Sequence, residues 1–320
     1  MPKVATGHAA SQLQAPRNRL RTSLWAALTH PKVMTHLVAY TFLLPALVFM
    51  GVFTFYPIIR GLPLAFTNYS VVGETEWVGL RNFQYALQDE TFRLAFKHSL
   101  QYLLVVPVIQ FLSILIAVLV NRQLPGIGLF RTAYYVPVVT SMVAVAITWQ
   151  WMYQSNGLIN WVLMKLGILS EPISWLGDER FALPAVMAVT AWKGLGYYMV
   201  IYLAGLQSIP RELSEQAMID GASSWQVVRH VIIPLLQPFI LLASIVSCQG
   251  ALNVFDEVIT MTDGGPHNAT ITNAVYAYKV AFQQFEFGRG AAISLLAGSV
   301  SWVLTILMFK VFRDRGVYSL

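Results

Sequence analysis

Six long apolar stretches, separated by shorter polar segments, dominate the pattern of hydrophobic and polar positions along the chain. A helix that crosses a lipid bilayer needs about 20 mostly apolar residues, and each stretch reaches that length. The stretches cover residues 37–56, 100–120, 133–153, 181–203, 239–261 and 291–312. The pattern therefore predicts an all-α polytopic membrane protein with six transmembrane helices.

The composition agrees with a protein that lives in lipid. Hydrophobic residues make up 56% of the 320 residues and charged residues only 11%, whereas soluble domains carry about 25% charged residues. This excludes a disordered chain and a coiled coil, and the single Cys248 excludes a disulfide scaffold and a cysteine-rich metal site. The net charge of +6 is spread between apolar runs, which favours contact with a membrane surface over contact with nucleic acid.

The distribution of charge predicts the orientation in the membrane. If the six stretches alternate, one side holds both termini with 12 basic and 4 acidic residues. The other holds 8 basic and 11 acidic residues, when Asp256 and Glu257 of the fifth stretch are counted with it. Because loops rich in Lys and Arg stay in the cytoplasm, we expect both termini to be cytoplasmic. The basic tail, residues 1–36, either forms a short interfacial helix or stays solvated, and residues 37–320 form the membrane domain.

The most informative polar segment covers residues 208–238, on the cytoplasmic side of the fourth and fifth stretches. Pro210 suits the first turn of a helix, and the acidic Glu212 and Glu215 are favourable near a helix N-terminus. Gly221 is placed to end that helix in the left-handed conformation. The segment therefore begins with a short capped helix.

A second short helix is predicted directly afterwards. Ser223 and Gln226 have the spacing of a capping box, in which side chain and backbone satisfy each other at a helix start. Pro234 and Pro238 are expected to end this helix before the fifth stretch. Two short helices would then protrude from the membrane, joined at residues 220–222.

This segment resembles the EAA loop of ABC importer permeases. The resemblance rests on Glu215, Ala217, Asp220, Gly221, Ala222 and Pro234. Two departures are mild: Gln216 replaces the usual second Ala, and Val231 and Ile233 replace the usual Ile and Leu.

Further matches to the same family follow in order along the chain. They cover residues 42–45 with 56–58, 78–83, 130–132 with 136–137, 157–160 with 175–176, 204–207, 252–256 and 262–266. Together they are similar to the carbohydrate-type permeases of binding-protein-dependent ABC importers, in the subgroup of the maltose and glycerol-phosphate systems. The resemblance implies the type I importer permease fold in a bacterial inner membrane.

The family resemblance also implies partners. The chain lacks the Gly-rich phosphate loop of an ATPase, so ATP and Mg would be used by two cytoplasmic ATPase subunits, with no cofactor and no catalysis in this chain. The EAA loop would dock on an ATPase, with Glu215 as a polar contact and Gly221 shaping the turn. A second homologous permease and an extracytoplasmic solute-binding protein complete the implied complex.

The candidate substrate pathway centres on the fourth and fifth stretches. Lys193 lies inside the fourth stretch, and because an intramembrane charge costs at least a few kcal/mol, it should face a cavity or a partner, with Asp256 and Glu257 as counter-charges. The resemblance places the solute near Gly194, Tyr197, Gly250 and Asn253, and Trp192 and Gln249 flank them. Helix packing explains Trp192 and Tyr197 equally well, and a structural ion pair explains Lys193 equally well.

The sequence leaves both the solute and the class of membrane protein open. The solute is either a neutral sugar or an anion such as glycerol phosphate, for which Lys193 is suited. A secondary transporter would usually be longer and show internal repeats, and a scaffold gives no reason for the protruding helix pair. A membrane enzyme would need clustered polar groups, whereas the six histidines are scattered.

Overall fold

The computed structural model describes residues 31–69, 74–121 and 125–313. Most of the predicted basic tail, including the interfacial helix up to residue 30, lies outside this range. Sixteen α-helices lie within the described residues: α1 (Pro31–Met50), α2 (Tyr56–Gly61), α3 (Arg81–Gln88), α4 (Glu90–Tyr102), α5 (Val105–Val120), α6 (Ile127–Val139), α7 (Met142–Met152), α8 (Leu158–Lys165), α9 (Glu179–Ser208), α10 (Arg211–Ile219), α11 (Ser224–Val227), α12 (Ile233–Leu235), α13 (Gln237–Leu252), α14 (Asp256–Met261), α15 (Asn273–Tyr278) and α16 (Phe287–Arg313).

The all-α fold class is confirmed, and the crossings match the predicted stretches. Five helical segments are long and apolar enough to cross a membrane: Val38–Phe66, Glu90–Val120, Glu179–Ser208, Gln237–Met261 and Phe287–Phe312. A sixth crossing results if α6 and α7 form one broken span. In the described part of the chain, β pairing is limited to one antiparallel bridge between Thr67 and Trp77.

Most of the first crossing, up to Leu62, belongs to a compact unit of its own. Its helix α1 passes through a π-helical turn, Gly51–Phe55, into α2. Pro57 stands in the first turn of α2, directly after the π-helical turn, and has no backbone N–H to continue the ladder of helical hydrogen bonds. The apolar side chains of this unit are exposed, as Phe42 illustrates with 82% exposure.

The third predicted crossing is bent rather than continuous. Helices α6 and α7 meet at an angle of 100°, and the bend lies at Thr140 and Ser141, which are extended. Pro137 cannot donate a backbone hydrogen bond, so the last turn of α6 is weakened, and the Thr140 hydroxyl bonds back to the Val136 carbonyl at 3.0 Å. We call this bend the elbow (residues 137–142).

The fifth predicted crossing is interrupted between α13 and α14. At the end of α13, the backbone N–H and side-chain amide of Asn253 both donate to the Gln249 carbonyl, at 3.2 and 2.9 Å. The Thr272 hydroxyl donates to the Val254 carbonyl at 2.9 Å and so satisfies a group that the break exposes. The interruption therefore has polar partners built into it.

The core forms where α5, α9 and α13 pack together. The fully buried Met199 and Tyr202 of α9 lie in it. The buried Gln110 of α5 accepts a short hydrogen bond from the Tyr202 hydroxyl and donates to Ser247 of α13 at 2.7 Å. Because buried polar groups are costly unless paired, this network fixes the mutual position of the three helices.

A glycine in α9 allows helix α6 to pack closely against it. A Cβ atom added to Gly196 would lie 1.9 Å from the Tyr134 carbonyl oxygen, so no larger residue fits there without movement. The close approach brings the C-terminal part of α6 beside the segment of α9 that carries the candidate pathway residues.

Polar contacts fix the loops at the opposite end of the membrane domain from residues 208–238. Asp89 caps α4 by accepting from the Thr91 backbone N–H at 2.8 Å, and it accepts a short hydrogen bond from the Tyr276 hydroxyl. Burial, and then this contact with Asp89, raises the pKa of Tyr276. Asp178 caps α9, and its bonds to Arg180 lower the pKa of the Asp178 carboxyl to about 2.

Candidate functional site

Residues 208–238, which we call the coupling segment, contain the predicted pair of short helices. Helix α10 ends at Ile219, and Gly221 follows with a φ of +91°, a conformation that glycine adopts without strain. The N–H groups of Gly221 and Ala222 donate to the carbonyls of Met218 and Ala217, at 3.1 and 2.9 Å. This is a Schellman motif, and it confirms the predicted left-handed end of the first helix.

The second helix begins with the predicted capping box. The Ser223 N–H donates to the Gln226 side chain at 2.7 Å, and the Gln226 N–H donates to the Ser223 hydroxyl at 3.4 Å. The prediction for Pro234 is wrong in detail: α11 continues through a π-helical turn, Val228–Ile232, and Pro234 lies at the start of α12. Because proline is tolerated in the first turn of a helix, the helical backbone continues past Pro234 instead of ending before it.

Apolar side chains lie exposed around the tip of the coupling segment, which we define as residues 218–225. Ile219 is 85% exposed and Trp225 is 65% exposed, and Met218 is half exposed. Of the predicted coupling residues, Glu215, Asp220, Gly221 and Pro234 are exposed, and Ala217 and Ala222 are partly buried. The tip therefore presents apolar and acidic groups together.

A small cavity lies beside α10. Its volume is about 220 Å³, and its lining includes Glu215, Met218, Arg211 and Ile209 from the coupling segment and Asn121 from the end of the second crossing. The cavity places Glu215 at a concave surface next to the exposed tip.

The predicted pathway residues of α9 fall into two groups. Trp192 and Tyr197 are each 42% exposed, as a lining role requires. Gly194 is packed instead, because a Cβ there would meet the side chains of Ile109 and Tyr198 at ordinary contact distance. Lys193 is partly buried, and its Nζ donates to the Val138 carbonyl at 3.2 Å.

The predicted residues after α9 are divided in the same way. Gly250, Asn253 and Asp256 are exposed around the interruption between α13 and α14. A Cβ at Gly250 would meet open space. Gln249 faces α16, where it donates to the Thr305 hydroxyl at 2.9 Å. Gly194 and Gln249 thus pack against neighbouring helices. The remaining predicted residues of α9, α13 and α14 that are exposed are Trp192, Tyr197, Gly250, Asn253 and Asp256.

The counter-charges expected for Lys193 do not form an ion pair with it. Among the described residues, Lys193 has no salt bridge, and its contact is the carbonyl of Val138 near the elbow. Glu257 is buried and accepts a hydrogen bond from the Thr190 hydroxyl at 2.7 Å, and Thr190 in turn lies 2.6 Å from the Tyr102 hydroxyl. This buried chain joins three crossings.

Sequence reasoning missed the part that α7 plays beside α9. Trp149 packs edge-on against Trp192 with ring centroids 5.4 Å apart. Both rings line a cavity of about 330 Å³ in the inner angle of the elbow, together with Thr140 and Thr148. The residue sequence Trp-Gln-Trp at 149–151 was the available signal, but it is equally typical of an aromatic belt at a membrane surface.

Metal binding has no candidate in the described residues, since they contain no group of three or more His, Cys, Asp or Glu side chains suited to hold an ion.

Comparison with known proteins identifies the family. Residues 86–313 match the family described as "Binding-protein-dependent transport system inner membrane component". The lactose transport system permease protein LacF of Rhizobium radiobacter is 35% identical over 282 residues, covering 86% of this chain and 94% of the relative. The trehalose/maltose transport system permease protein MalF of Thermococcus litoralis is 32% identical over 281 residues, covering 87% and 94%.

A solved structure shows the same fold. A bacterial ABC transporter involved in the import of the acidic polysaccharide alginate matches with a TM-score of 0.77 at 24% identity, covering 91% of this chain and 99% of that chain. The alginate transporter in complex with an alginate pentasaccharide-bound periplasmic protein matches with a TM-score of 0.75 at 24% identity, covering 88% and 96%. The chain therefore belongs to the binding-protein-dependent transport system inner membrane components, among the carbohydrate ABC importer permeases.

Proposed function

We propose that this permease forms half of the translocation pathway of an ATP-driven importer for a sugar. A second homologous permease would form the other half. The exposed residues around α9 and the α13–α14 interruption support this, because aromatic rings, an amide and an exposed carboxylate suit a hydroxyl-rich solute. Trp192, Tyr197, Asn253 and Asp256 would contact the solute, with Gly250 allowing close approach. Lys193, Gly194 and Gln249 would hold the helices that carry them.

The exposed tip of the coupling segment is the observation that carries the ATPase-docking part of the proposal. An apolar side chain that is 85% exposed, as Ile219 is, gains stability when a partner covers it. The Schellman motif holds α10 and α11 in a fixed relation, so a movement of the ATPase would be transmitted through Ala217, Gly221 and Ala222 to the membrane helices. Two ATPase subunits would bind ATP and Mg, and this chain would act without a cofactor of its own.

This arrangement supports a proposed orientation. With the coupling segment in the cytoplasm, both termini would be cytoplasmic, and α3, α8 and α15 would lie on the outer face of the membrane. This agrees with the excess of Lys and Arg on the side of the termini. An extracytoplasmic solute-binding protein would dock on these outer helices and deliver the solute, as the periplasmic protein seen with the alginate transporter suggests.

The solute is proposed to be a sugar because the relatives are named for lactose, trehalose and maltose. Glycerol phosphate is the second candidate, since Lys193 supplies a cation at membrane depth. The contact of Lys193 with the Val138 carbonyl gives this cation a structural role already, which favours the neutral solute.

The importer can be tested as a reconstituted complex of both permeases and the ATPases. Binding protein loaded with lactose, maltose, trehalose or glycerol phosphate is added, and ATP hydrolysis is measured. We expect stimulation by at least one sugar-loaded sample. If only glycerol phosphate stimulates ATP hydrolysis, the sugar proposal is wrong. Loss of that stimulation in a Lys193→Met variant would then show that the Lys193 cation binds the phosphate.

The docking surface can be tested with a matched pair of variants. Ile219→Glu places a charge on the tip, and we expect the ATPases to dissociate during purification. Ile168→Glu is the control, because Ile168 is also exposed, at 64%, but lies on the proposed outer face after α8. Equal ATPase content in both complexes would contradict docking at the tip.

A further inference from the structure

A large groove lies at the opposite end of the membrane domain from the coupling segment. Its volume is about 620 Å³. Helices α4 and α5 form one wall, the first part of α9 forms the other, and His267 and Ala269 complete the lining. We call it the outer groove. It shares no lining residue with the candidate pathway residues of α9, α13 and α14.

The groove is polar at one end and apolar at the other. Lys97 and Gln101 lie in the C-terminal half of α4, and Glu179 and Arg180 stand at the start of α9. Further along the same helices the lining is apolar, with Leu104, Val108, Met187, Ala188 and Ala191. From Lys97 to Val108 the distance along the helix is about 16 Å at the rise of an α-helix. The polar end therefore lies at membrane-surface depth and the apolar end reaches into the hydrocarbon.

Two donors at the polar end have no partner within the described residues. The ammonium of Lys97 is exposed and makes no hydrogen bond or ion pair there, and the amide of Gln101 makes none either. The other charged groups at this end are paired: Arg180 binds Asp178 at 2.7 Å, and Glu179 binds His267 at 2.8 Å. The unpaired donors thus define where an anionic group of a ligand would bind.

We propose that the outer groove binds a membrane glycerophospholipid, with the phosphate at Lys97 and Gln101 and one acyl chain along the apolar lining. A phosphate matches a cation beside an amide donor, and an acyl chain matches an apolar channel that runs along the membrane normal. A soluble sugar phosphate would leave the apolar length unfilled. A transmembrane helix of a second permease would fill the apolar length but leave the donors of Lys97 and Gln101 without an anionic partner.

The binding of lipid can be measured on the complete importer by native mass spectrometry. The purified complex is exchanged into detergent with added palmitoyl-oleoyl-phosphatidylglycerol or palmitoyl-oleoyl-phosphatidylethanolamine. We expect retained phospholipid, and Lys97→Glu should weaken its retention by about tenfold or more, because a charge-assisted hydrogen bond becomes a repulsion. Lys165→Glu is the matched control: Lys165 is an exposed lysine of α8 outside the groove, and its exchange should leave retention within about twofold of the wild type.

A second variant tests the acyl-chain part. Ala188→Phe fills the apolar lining without adding charge, and it should reduce retention as strongly as Lys97→Glu. Ala204→Phe, at an exposed position of the same helix outside the groove, is its control. Equal retention by wild type, Lys97→Glu and Ala188→Phe would overturn the proposal and point to a helix of the second permease as the occupant. The assignment of the groove to the outer leaflet rests on the proposed orientation. The retention measurement tests lipid binding in either orientation.

Discussion

The coupling segment and the membrane residues around α9 and α13 acquire their shapes in different ways. In the coupling segment, each bond that defines the turn joins residues close in sequence, as in the Ser223–Gln226 box and the Met218–Gly221 contact. Around α9, the defining contacts join distant residues, such as Lys193 with Val138 and Thr190 with Glu257. The first region is specified locally, and the second exists only when the whole membrane domain has assembled.

This difference has a consequence for function. A locally specified tip can keep its form while the membrane helices move, which suits its proposed role as a rigid contact for the ATPase. The proposed pathway residues depend on the relative position of α6, α9 and α14, so the same movement would change which of them a solute reaches. Rigidity at one end and adjustable contacts at the other are what an alternating-access importer requires.

The largest expected effect comes from Gly221→Trp in the coupling segment. A φ of +91° strains every residue except glycine, so α10 and α11 should change their relation and the stimulation of ATP hydrolysis should fall by roughly tenfold or more. Stimulation by sugar-loaded binding protein in the reconstituted complex is the measurement.

Gly167→Trp is the matched control for this variant. Gly167 has a φ of +70° and open space around it, as Gly221 does, but it lies after α8 on the proposed outer face. A similar loss in both variants would mean that backbone strain alone reduces activity, and the coupling segment would lose its special role.

The next largest effect is expected where α6 crosses α9. Gly196→Ala forces a Cβ against the Tyr134 carbonyl, and overpacking of this kind costs about 1–3 kcal/mol, so the thermal stability of the purified complex should fall. Gly250→Ala adds the same methyl group in open space and should leave stability unchanged or slightly higher. Equal melting temperatures would show that the close approach is relaxed in the assembled importer.

A smaller effect is expected from Asn253→Leu at the end of α13. The variant removes an exposed amide while the backbone N–H of residue 253 still caps the helix, so assembly should be normal. Loss of one hydrogen bond to the solute should raise the half-saturating concentration for transport by roughly three- to tenfold.

Ser299→Leu, a change at an exposed polar position of α16, provides the comparison for Asn253→Leu. Unchanged uptake kinetics in both variants would show that Asn253 does not contact the solute. The proposed pathway would then rest on the exposed aromatic residues of α9.

The smallest effect is expected from Ser223→Ala. Loss of this cap destabilises α11 by about 1 kcal/mol, which should raise local amide exchange in α11 while transport stays within about twofold of the wild type. Ser224→Ala changes a neighbouring exposed hydroxyl that makes no hydrogen bond in the described structure and should alter neither quantity. A large transport defect from Ser223→Ala alone would mean that a small loss of stability in α11 is enough to disrupt the coupling segment.

What could be predicted from sequence follows the same division. Apolar length predicted the crossings, and cap residues predicted α10 and the start of α11, because both signals are local. The elbow was not predicted, although the sequence contains Pro137. A proline inside a membrane helix either bends the helix or is tolerated, depending on the neighbouring helices.

Long-range pairing could not be read from the sequence. Asp256 and Glu257 were reasonable counter-charges for Lys193, but the distance between two helices at a given depth depends on how they pack. The Val138 carbonyl takes that place because Gly196 lets α6 approach α9 closely. Likewise, Gln249 could face the pathway or α16, and only the observed contact with Thr305 decides between them.

The elbow has a consequence for hydration. At Thr140 and Ser141 the backbone leaves the helix at membrane depth, and both residues are exposed in the single chain. Hydrocarbon offers no partner for the freed amide groups in the first turn of α7. The elbow must therefore be wetted by a water-filled passage or sealed by another protein chain, and a lone copy of this permease in a bilayer would carry a polar defect that assembly removes.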